Sequence, residues 1–458
     1  MPNIFAYIVF FSWPLVGFFL SRSLSTRNFC IVFLLSSYLL LPLRTGFYVP
    51  ILTDIDKFFM PPLLLWLLLR LKGEKLSLFG SSKWLNIFSV MILVSPWLTF
   101  IANTDTLIYG ERILKPLDIT YAIQSNVNTF IVTLVPFLVG RTYFAKTADH
   151  EYLLACLAIA GLLYALPALW EVRMSPQLHK DIYGVFPHSF RQQMRDGGFR
   201  PVVFLGHGLY VAMFFAVSFL SLAFLIKGKS QSVLLWFRGH KKWMALFLIL
   251  TLVLCKTWSA LIYAVLGLAA VLLSRVKLQV YAAVFISFLV LSYPLVRGSS
   301  AINYEGVIEL VKSYNPGRAA SLEFRFNNEE ILLEKANERS IFGWGAWGRG
   351  RVYDAAGRDI SVTDGVWIIF FGVGGYFGYL AFFGLVSIPL ILLLLRLRKN
   401  KDMNCVNIYT SGLGLILAFN LLDLIPNSSL SFLTLLIAGA ISGAVLKQPD
   451  DKSQGMVR

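Results

Sequence analysis

The chain has 458 residues, of which 57% are hydrophobic and only 14% are charged. A soluble domain carries roughly 25% charged residues, so a chain this apolar cannot cover itself with polar groups, which excludes a soluble enzyme and a disordered chain. The net charge of +16 would indicate a nucleic-acid partner in a soluble protein, but in a membrane protein it must first be sorted by side of the bilayer.

Apolar stretches recur along the whole chain. A helix that crosses a bilayer needs about 20 apolar residues, and thirteen stretches approach this length. The sequence therefore predicts an all-α, polytopic membrane helical bundle, with residues 1–458 forming a single integral membrane domain. The predicted spans are 4–20, 29–43, 58–71, 84–102, 127–140, 152–170, 203–226, 243–255, 257–273, 278–295, 366–395, 406–423 and 429–446.

The charges divide unevenly between the two sets of connecting loops. One set, with the C-terminal tail, contains 22 Lys/Arg and 6 Asp/Glu, whereas the opposite set contains 19 of each. The positive-inside rule makes the first set and the C-terminus cytoplasmic, and an odd number of spans places the N-terminus outside. The two largest loops face outward, and we call 171–202 the first outer loop and 297–365 the second outer loop. Any chemistry is expected there, on loops held by a helical scaffold.

The first outer loop contains three arginines within ten residues. They are Arg191, Arg195 and Arg200. Arginine binds phosphate oxygens through two parallel hydrogen bonds and does not lose its charge, so this cluster predicts a diphosphate-binding site. The alternative is that the arginines pair with lipid phosphates or with Asp196 and Glu171.

The second outer loop contains a predicted helix from Leu322 to Arg339. Arg318 and Arg325 are seven residues apart and share one face if the helix extends that far back. The alternative for Arg325 is an ion pair with Glu329 at i,i+4. The apolar residues of this helix recur at near-helical spacing and could lie on the membrane surface. These residues are Leu322, Phe326 and Leu333.

A glycine-rich segment and an aspartate follow this helix. The segment Gly343–Gly348 matches G-x-G-x-x-G, but no predicted strand precedes it, so we interpret it as an interfacial turn with tryptophans at the head-group level. Asp364 immediately precedes Gly365 and the apolar run 366–395. A carboxylate at the mouth of a spanning helix is a candidate catalytic base, and the alternative is a helix N-cap.

Two further titratable residues are candidates. Lys256 interrupts the apolar run 243–273, which predicts either the outer turn of a helical hairpin or a buried lysine, and it could bind phosphate or extend to the interface. His207 lies near the outer start of a span, where it could be a catalytic base or a packing residue. The four cysteines show no zinc-ligand spacing, and we expect no metal and no cofactor.

The order of these motifs over about residues 150–395 resembles the O-antigen ligase and O-antigen polymerase superfamily of bacterial inner membranes. The arginine loop is followed by the Lys-Thr-Trp-Ser hairpin at 256–259 and by the second outer loop. A helix with three spaced glycines comes last. Arg195 to Gly206 and Arg339 to Gly350 also fit the Arg-x10-Gly pattern of polymerases. The helix glycines are Gly372, Gly375 and Gly378.

The resemblance implies an inner-membrane protein of the C-type membrane glycosyltransferase architecture, metal-independent and inverting, with its active side in the periplasm. Such enzymes transfer a glycan from an undecaprenyl-diphosphate-linked donor to the hydroxyl of a glycan or lipid-linked acceptor. That acceptor is lipid A core for a ligase and a second lipid-linked repeat unit for a polymerase. A chain-length regulator is left open as a partner, and nucleic acid is not expected.

One departure from the family pattern separates the two activities. Ligases have histidine, often followed by asparagine, where this chain has Asp364-Gly365. This difference favours a polymerase of exopolysaccharide or O-antigen repeat units over a ligase. The alternatives from other classes are a transporter or flippase of lipid-linked glycans and a structural subunit of a polysaccharide secretion complex. A transporter predicts internal repeats and charges within the spans.

Overall fold

Helices dominate the protein. The computed structural model describes residues 1–49, 53–195, 197–230, 240–299, 304–399 and 406–446. About 70% of the protein is helical, which confirms the all-α prediction. The helices are α1 (Ile4–Ser23), α2 (Thr26–Leu40), α3 (Met60–Leu71), α4 (Lys83–Ile101), α5 (Ile119–Asn128), α6 (Val135–Tyr143), α7 (Thr147–Met174), α8 (Leu178–Tyr183), α9 (Gly208–Lys227), α10 (Lys241–Leu254), α11 (Trp258–Leu273), α12 (Val276–Arg297), α13 (Tyr304–Tyr314), α14 (Pro316–Asn337), α15 (Val366–Lys399), α16 (Ile408–Asp423) and α17 (Phe432–Leu446).

Strands are confined, within the described ranges, to three short antiparallel hairpins in the connecting loops. A π-helical turn, Thr129–Leu134, joins α5 to α6 without a break. The strands are β1 (Gly46–Phe47) with β2 (Ile55–Asp56), β3 (Leu107–Tyr109) with β4 (Arg112–Leu114), and β5 (Met194–Arg195) with β6 (Gly198–Phe199).

Each of the thirteen predicted spans coincides with a helix. In the part of the chain that the structure describes, seven helical segments have at least 18 residues and are apolar enough to cross a membrane, which is compatible with a multi-pass membrane protein. Five further apolar helices have 10–17 residues, and α10 has 14. The sidedness of the loops stays a prediction. The seven long segments are Ile4–Ser23, Lys83–Ile101, Ile119–Tyr143, Thr147–Met174, Gly208–Lys227, Val276–Arg297 and Val366–Lys399.

The helix faces that point away from the core of the bundle carry large apolar side chains. On α1, Leu15 and Phe19 are 61% and 65% exposed, and on α12, Phe285 and Phe288 are 62% and 65% exposed. Contiguous apolar surface of this kind marks a lipid or partner contact in a folded protein. The opposite case is α9, which is apolar on every side and is almost fully buried, so it forms the centre of the bundle.

The long helix α15 is broken at Gly375, where φ is +61°. The break frees backbone groups, and the segment that follows α14 hydrogen-bonds to them. The Tyr376 amide donates to the Ser340 carbonyl at 2.7 Å, and the Trp344 amide donates to the Gly372 carbonyl at 2.8 Å. Trp344 is therefore only 4% exposed, so the expectation of a head-group tryptophan is wrong at this position. Trp347, at 70% exposed, is the accessible tryptophan of the turn.

Helix α14 begins six residues earlier than predicted, at Pro316, with Asn315 as its N-cap. The early start brings Arg318 and Arg325 onto one helix. The expectation that its apolar residues lie on the membrane surface is wrong for Leu333, which is 6% exposed and belongs to the hydrophobic core, and stays a prediction for Leu322 and Phe326. The helix packs against α15.

Candidate functional site

The first outer loop is held in shape by a buried glutamate at the end of α7. Glu171 is fully buried, and its carboxylate accepts hydrogen bonds from the backbone amides of Leu178, Val202 and Val203 at 2.6–2.9 Å. The loop is therefore closed by backbone bonds. The alternative in which Glu171 neutralises the arginines is wrong, and Asp196, the other proposed partner, lies outside the described residues.

The β5–β6 hairpin and Lys256 hold the loop arginines together. Lys256 forms the tight turn between α10 and α11, with φ +51°, so the hairpin prediction is confirmed. Its Nζ donates to the Arg195 carbonyl at 3.0 Å, and its own carbonyl accepts from Arg200 Nη2 at 3.4 Å. A Cβ atom built on Gly198 would lie 2.4 Å from Lys256 Nζ, so a side chain there would displace the end of the lysine.

Arg200 is a buried cation surrounded by other cations. It is 5% exposed, and burial lowers its pKa from 12.5 to about 10, with smaller contributions from the charges of Arg195, Arg318 and Arg325. Among the described residues, no carboxylate lies within ion-pair distance of Arg195 or Arg200, and the Nε atoms of both are buried without a hydrogen-bond partner. Arg195, Arg200, Arg318 and Arg325 thus form one arginine cluster, built from both outer loops. Its electrostatics favour an anion.

Helix α14 supplies half of the arginine cluster. The Arg318 guanidinium stacks over the ring of Trp258, with 5.6 Å between Cζ and the ring centroid. Trp258 begins α11, two residues after Lys256, so this contact joins the second outer loop to the Lys256 turn. Arg191, by contrast, is exposed on the turn Arg191–Gln193, outside the four clustered arginines.

Arg325 faces an aspartate and a turn. Its Nε lies 3.5 Å from Oδ2 of Asp364, and its Nη1 donates to the Pro426 carbonyl and to Oδ1 of Asn427 at 3.0 and 3.3 Å. The proposed ion pair with Glu329 does not form, because that carboxylate accepts instead from Trp367 Nε1 at 2.9 Å and Arg297 Nε at 3.4 Å.

The side chain of Asp364 faces Arg325 and does not cap α15. The first amides of α15, those of Val366 and Trp367, donate to the carbonyls of Asn427 and Leu424, so the turn after α16 caps the helix. The N-cap interpretation of Asp364 is therefore wrong. Its side chain is 36% exposed, which leaves the carboxylate accessible beside the arginine cluster.

His207 caps α9. Its Nδ1 accepts from the Leu209 amide at 3.1 Å, and its ring meets the ring of His188 edge-on, with centroids 4.9 Å apart. Burial, together with His188 and the cluster arginines, lowers the pKa of His207 to about 3, so the imidazole is neutral at physiological pH. With Nδ1 engaged as an acceptor, the neutral ring carries its proton on Nε2.

The second Arg-x10-Gly match, Arg339 to Gly350, contacts the segment after α4. Arg339 Nη2 and Arg349 Nη2 lie 2.6 and 3.1 Å from the carboxylate of Asp105, and Arg349 is 2% exposed. These arginines attach the second outer loop to the end of α4. The sequence did not lead us to predict that the turn after Asp423 belongs to the site. An aspartate at the end of an apolar helix, followed after two residues by Pro-Asn-Ser-Ser, was the pattern that could have indicated it.

No model of a known protein family matches this sequence. No curated protein matches it at a significant level either. The resemblance to the ligase and polymerase superfamily therefore depends on the order of its motifs.

Proposed function

We propose that this protein transfers a glycan from a polyprenyl diphosphate to an acceptor hydroxyl at the outer face of the membrane. The observation that carries the proposal is the arginine cluster, in which Arg200 is buried and is surrounded by Arg195, Arg318 and Arg325. The burial of the Arg200 charge beside other cations is unfavourable without a ligand, because the charged form loses solvation and is repelled by its neighbours. A dianionic or trianionic diphosphate relieves that repulsion.

The chemistry of the reaction fits this charge distribution. The acceptor oxygen attacks the anomeric carbon, the bond between that carbon and the diphosphate oxygen breaks, and the bonding electrons leave with the diphosphate. Preorganised guanidinium groups stabilise this developing charge through paired, charge-assisted hydrogen bonds. Lys256 positions the cluster through the Arg195 and Arg200 contacts described above.

Asp364 is the proposed general base. Its exposed carboxylate accepts the proton of the acceptor hydroxyl while Arg325, 3.5 Å away, links the base to the arginine cluster. Positioning of this kind holds the two substrates next to each other. His207 is the weaker candidate, because its Nδ1 already accepts the Leu209 amide.

The acceptor is proposed to be a second lipid-linked glycan, so that the protein polymerises exopolysaccharide or O-antigen repeat units in a bacterial inner membrane. Asp364-Gly365 supports this choice over a ligase that acts on lipid A core, because the ligases have histidine at that position. The outer loops are proposed to face the periplasm and the C-terminus the cytoplasm, from the charge asymmetry of the loops.

A transporter of lipid-linked glycans is the second candidate. The break of α15 at Gly375 favours it, because discontinuous helices line the sites of many transporters. Here, however, the backbone groups at the break are bonded to the segment that begins at Ser340. A transporter would bind the same donor and would form no new glycosidic bond.

The test uses the purified full-length protein, a polyprenyl-diphosphate-linked glycan and inorganic pyrophosphate. We expect Arg195→Lys and Arg325→Lys to lower transfer and pyrophosphate affinity at least tenfold, since lysine keeps the charge but loses the paired hydrogen bonds. Arg358→Lys is the matched control, because Arg358 is 81% exposed and pairs with Asp354 in the same outer loop. Normal glycan transfer by both cluster variants would refute the diphosphate site. Binding without any product would favour the transporter.

A further inference from the structure

The turn between α16 and α17 contacts both Arg325 and Asp364. The Pro426 carbonyl and the Asn427 side chain accept hydrogen bonds from Arg325 Nη1. One residue later, Ser428 Oγ donates to the backbone carbonyl of Asp364 at 2.7 Å. The proposed phosphate ligand and the proposed base are thus both attached to one short segment, residues 424–429, which we call the α16–α17 turn.

The close approach of this turn depends on a glycine. A Cβ atom built on Gly365 would lie 1.9 Å from the Ile425 carbonyl oxygen, so any side chain there would separate the α16–α17 turn from the start of α15. Gly365 is the residue that follows Asp364. The glycine therefore permits the contacts by which the turn holds the Arg325–Asp364 pair.

A buried aspartate fixes the orientation of Asn427. Asp423 is 2% exposed, and its Oδ1 accepts from Asn427 Nδ2 at 2.8 Å while its Oδ2 accepts from Ser429 Oγ. Because a carboxylate can only accept, the amide nitrogen of Asn427 must face Asp423. The amide oxygen is then directed at Arg325.

We propose that Asn427 is a positioning residue for donor binding, oriented by Asp423, and that it acts through Arg325. The guanidinium is planar, so contacts to Nη1 and Nε fix the plane and the direction of its remaining Nη2. A preorganised Arg325 binds a diphosphate oxygen without first losing side-chain freedom. The inference rests on the proposed function, and it assigns a role in donor binding to a third outer segment.

A double-mutant cycle on pyrophosphate affinity tests the inference in the full-length protein. We expect Asn427→Ala to weaken pyrophosphate binding about tenfold, as the loss of one hydrogen bond to a charged group does. In the Arg325→Lys background the same change should have almost no further effect, because lysine cannot use the orientation that Asn427 imposes. A merely structural role predicts losses that multiply.

Two further variants separate orientation from folding. Asp423→Asn keeps the volume and removes the restraint on the amide, so it should weaken pyrophosphate binding two- to fivefold in the wild-type background and not in Arg325→Lys. Asn407→Ala is the matched control, because Asn407 caps the opposite end of α16 through its bond from Thr410. It should lower thermal stability and leave pyrophosphate affinity unchanged.

The outcomes distinguish this inference from the proposed function. If Arg195→Lys and Arg325→Lys both bind pyrophosphate like the wild type, the diphosphate site itself is wrong, and if only Arg325→Lys does so, the positioning role of Asn427 is wrong. If Arg325→Lys is impaired while Asn427→Ala and Asp423→Asn bind normally, only the positioning role is wrong. Multiplicative losses in the double variant would also overturn it.

Discussion

Replacing Arg200 by methionine should stabilise the ligand-free protein and abolish diphosphate binding. Methionine keeps an unbranched apolar stem, which matters because the Arg200 stem packs directly on Gly208, where a Cβ would meet Arg200 Cδ at 2.1 Å. The change removes a charge that has no described carboxylate partner. A natural binding site often gives up stability in this way in exchange for its function.

The magnitude follows from the pKa of Arg200. Burial and the neighbouring arginines lower that pKa from 12.5 to about 10, which corresponds to about 3 kcal/mol of unfavourable free energy for the charged form. The hydrogen bond from Nη2 to the Lys256 carbonyl, at 3.4 Å, is lost and offsets about 1 kcal/mol. The expected net gain is about 2 kcal/mol in the free energy of unfolding, or a rise of a few degrees in Tm.

Thermal unfolding in detergent, with and without inorganic pyrophosphate, measures both effects. Pyrophosphate should raise the Tm of the wild type, because a ligand that binds only the folded state stabilises it, and it should not raise the Tm of Arg200→Met. Arg358→Met is the control, since an exposed arginine changes stability by less than about 0.5 kcal/mol. A lower Tm for Arg200→Met, combined with an unchanged response to pyrophosphate, would refute the reasoning.

Three further predictions concern the surroundings of the arginine cluster. Asp364→Asn should lower kcat for transfer at least 100-fold without weakening pyrophosphate binding, when both are measured on the same purified protein. His207→Asn keeps an N-cap. Because the pKa of His207 is about 3 in the folded protein, the wild type loses about 2 kcal/mol of stability from this residue between pH 8 and pH 5, and the variant should not show that loss. Gly365→Ala should lower Tm by overpacking worth about 1–3 kcal/mol, whereas Gly372→Ala, with open space around its Cβ position, should not.

Local sequence was sufficient for the helices. A run of apolar residues long enough to satisfy its own backbone hydrogen bonds has few alternatives to a helix, so every predicted span coincides with one. The turn at Lys256 was also predictable, because a lysine interrupts an otherwise continuous apolar run. The start of α14 was not, since it depends on the Asn315 cap that precedes Pro316.

The partners of charged residues were the least predictable feature. Proximity in sequence favoured Arg325 with Glu329, but the fold gives Glu329 to Trp367 and Arg297 and gives Arg325 to Asp364 and Asn427. A charged side chain near several helix ends has many reachable partners, and small differences in burial decide among them. For the same reason, the contacts of the α16–α17 turn with Arg325 and Asp364 could not be predicted from the sequence.

The sequence by itself determined a mainly helical, apolar protein and placed Arg195, Arg200, Arg318 and Arg325 in its two longest loops, because composition and periodicity act within each segment. Only the tertiary structure decided that the arginines of both loops form one cluster, that Arg200 is buried within it, and that Asp364 faces Arg325. The cluster brings together arginines of two loops that are more than 100 positions apart in the chain, and Asp364 lies 39 positions after Arg325. Packing of the whole bundle fixes such contacts, and no local pattern encodes them.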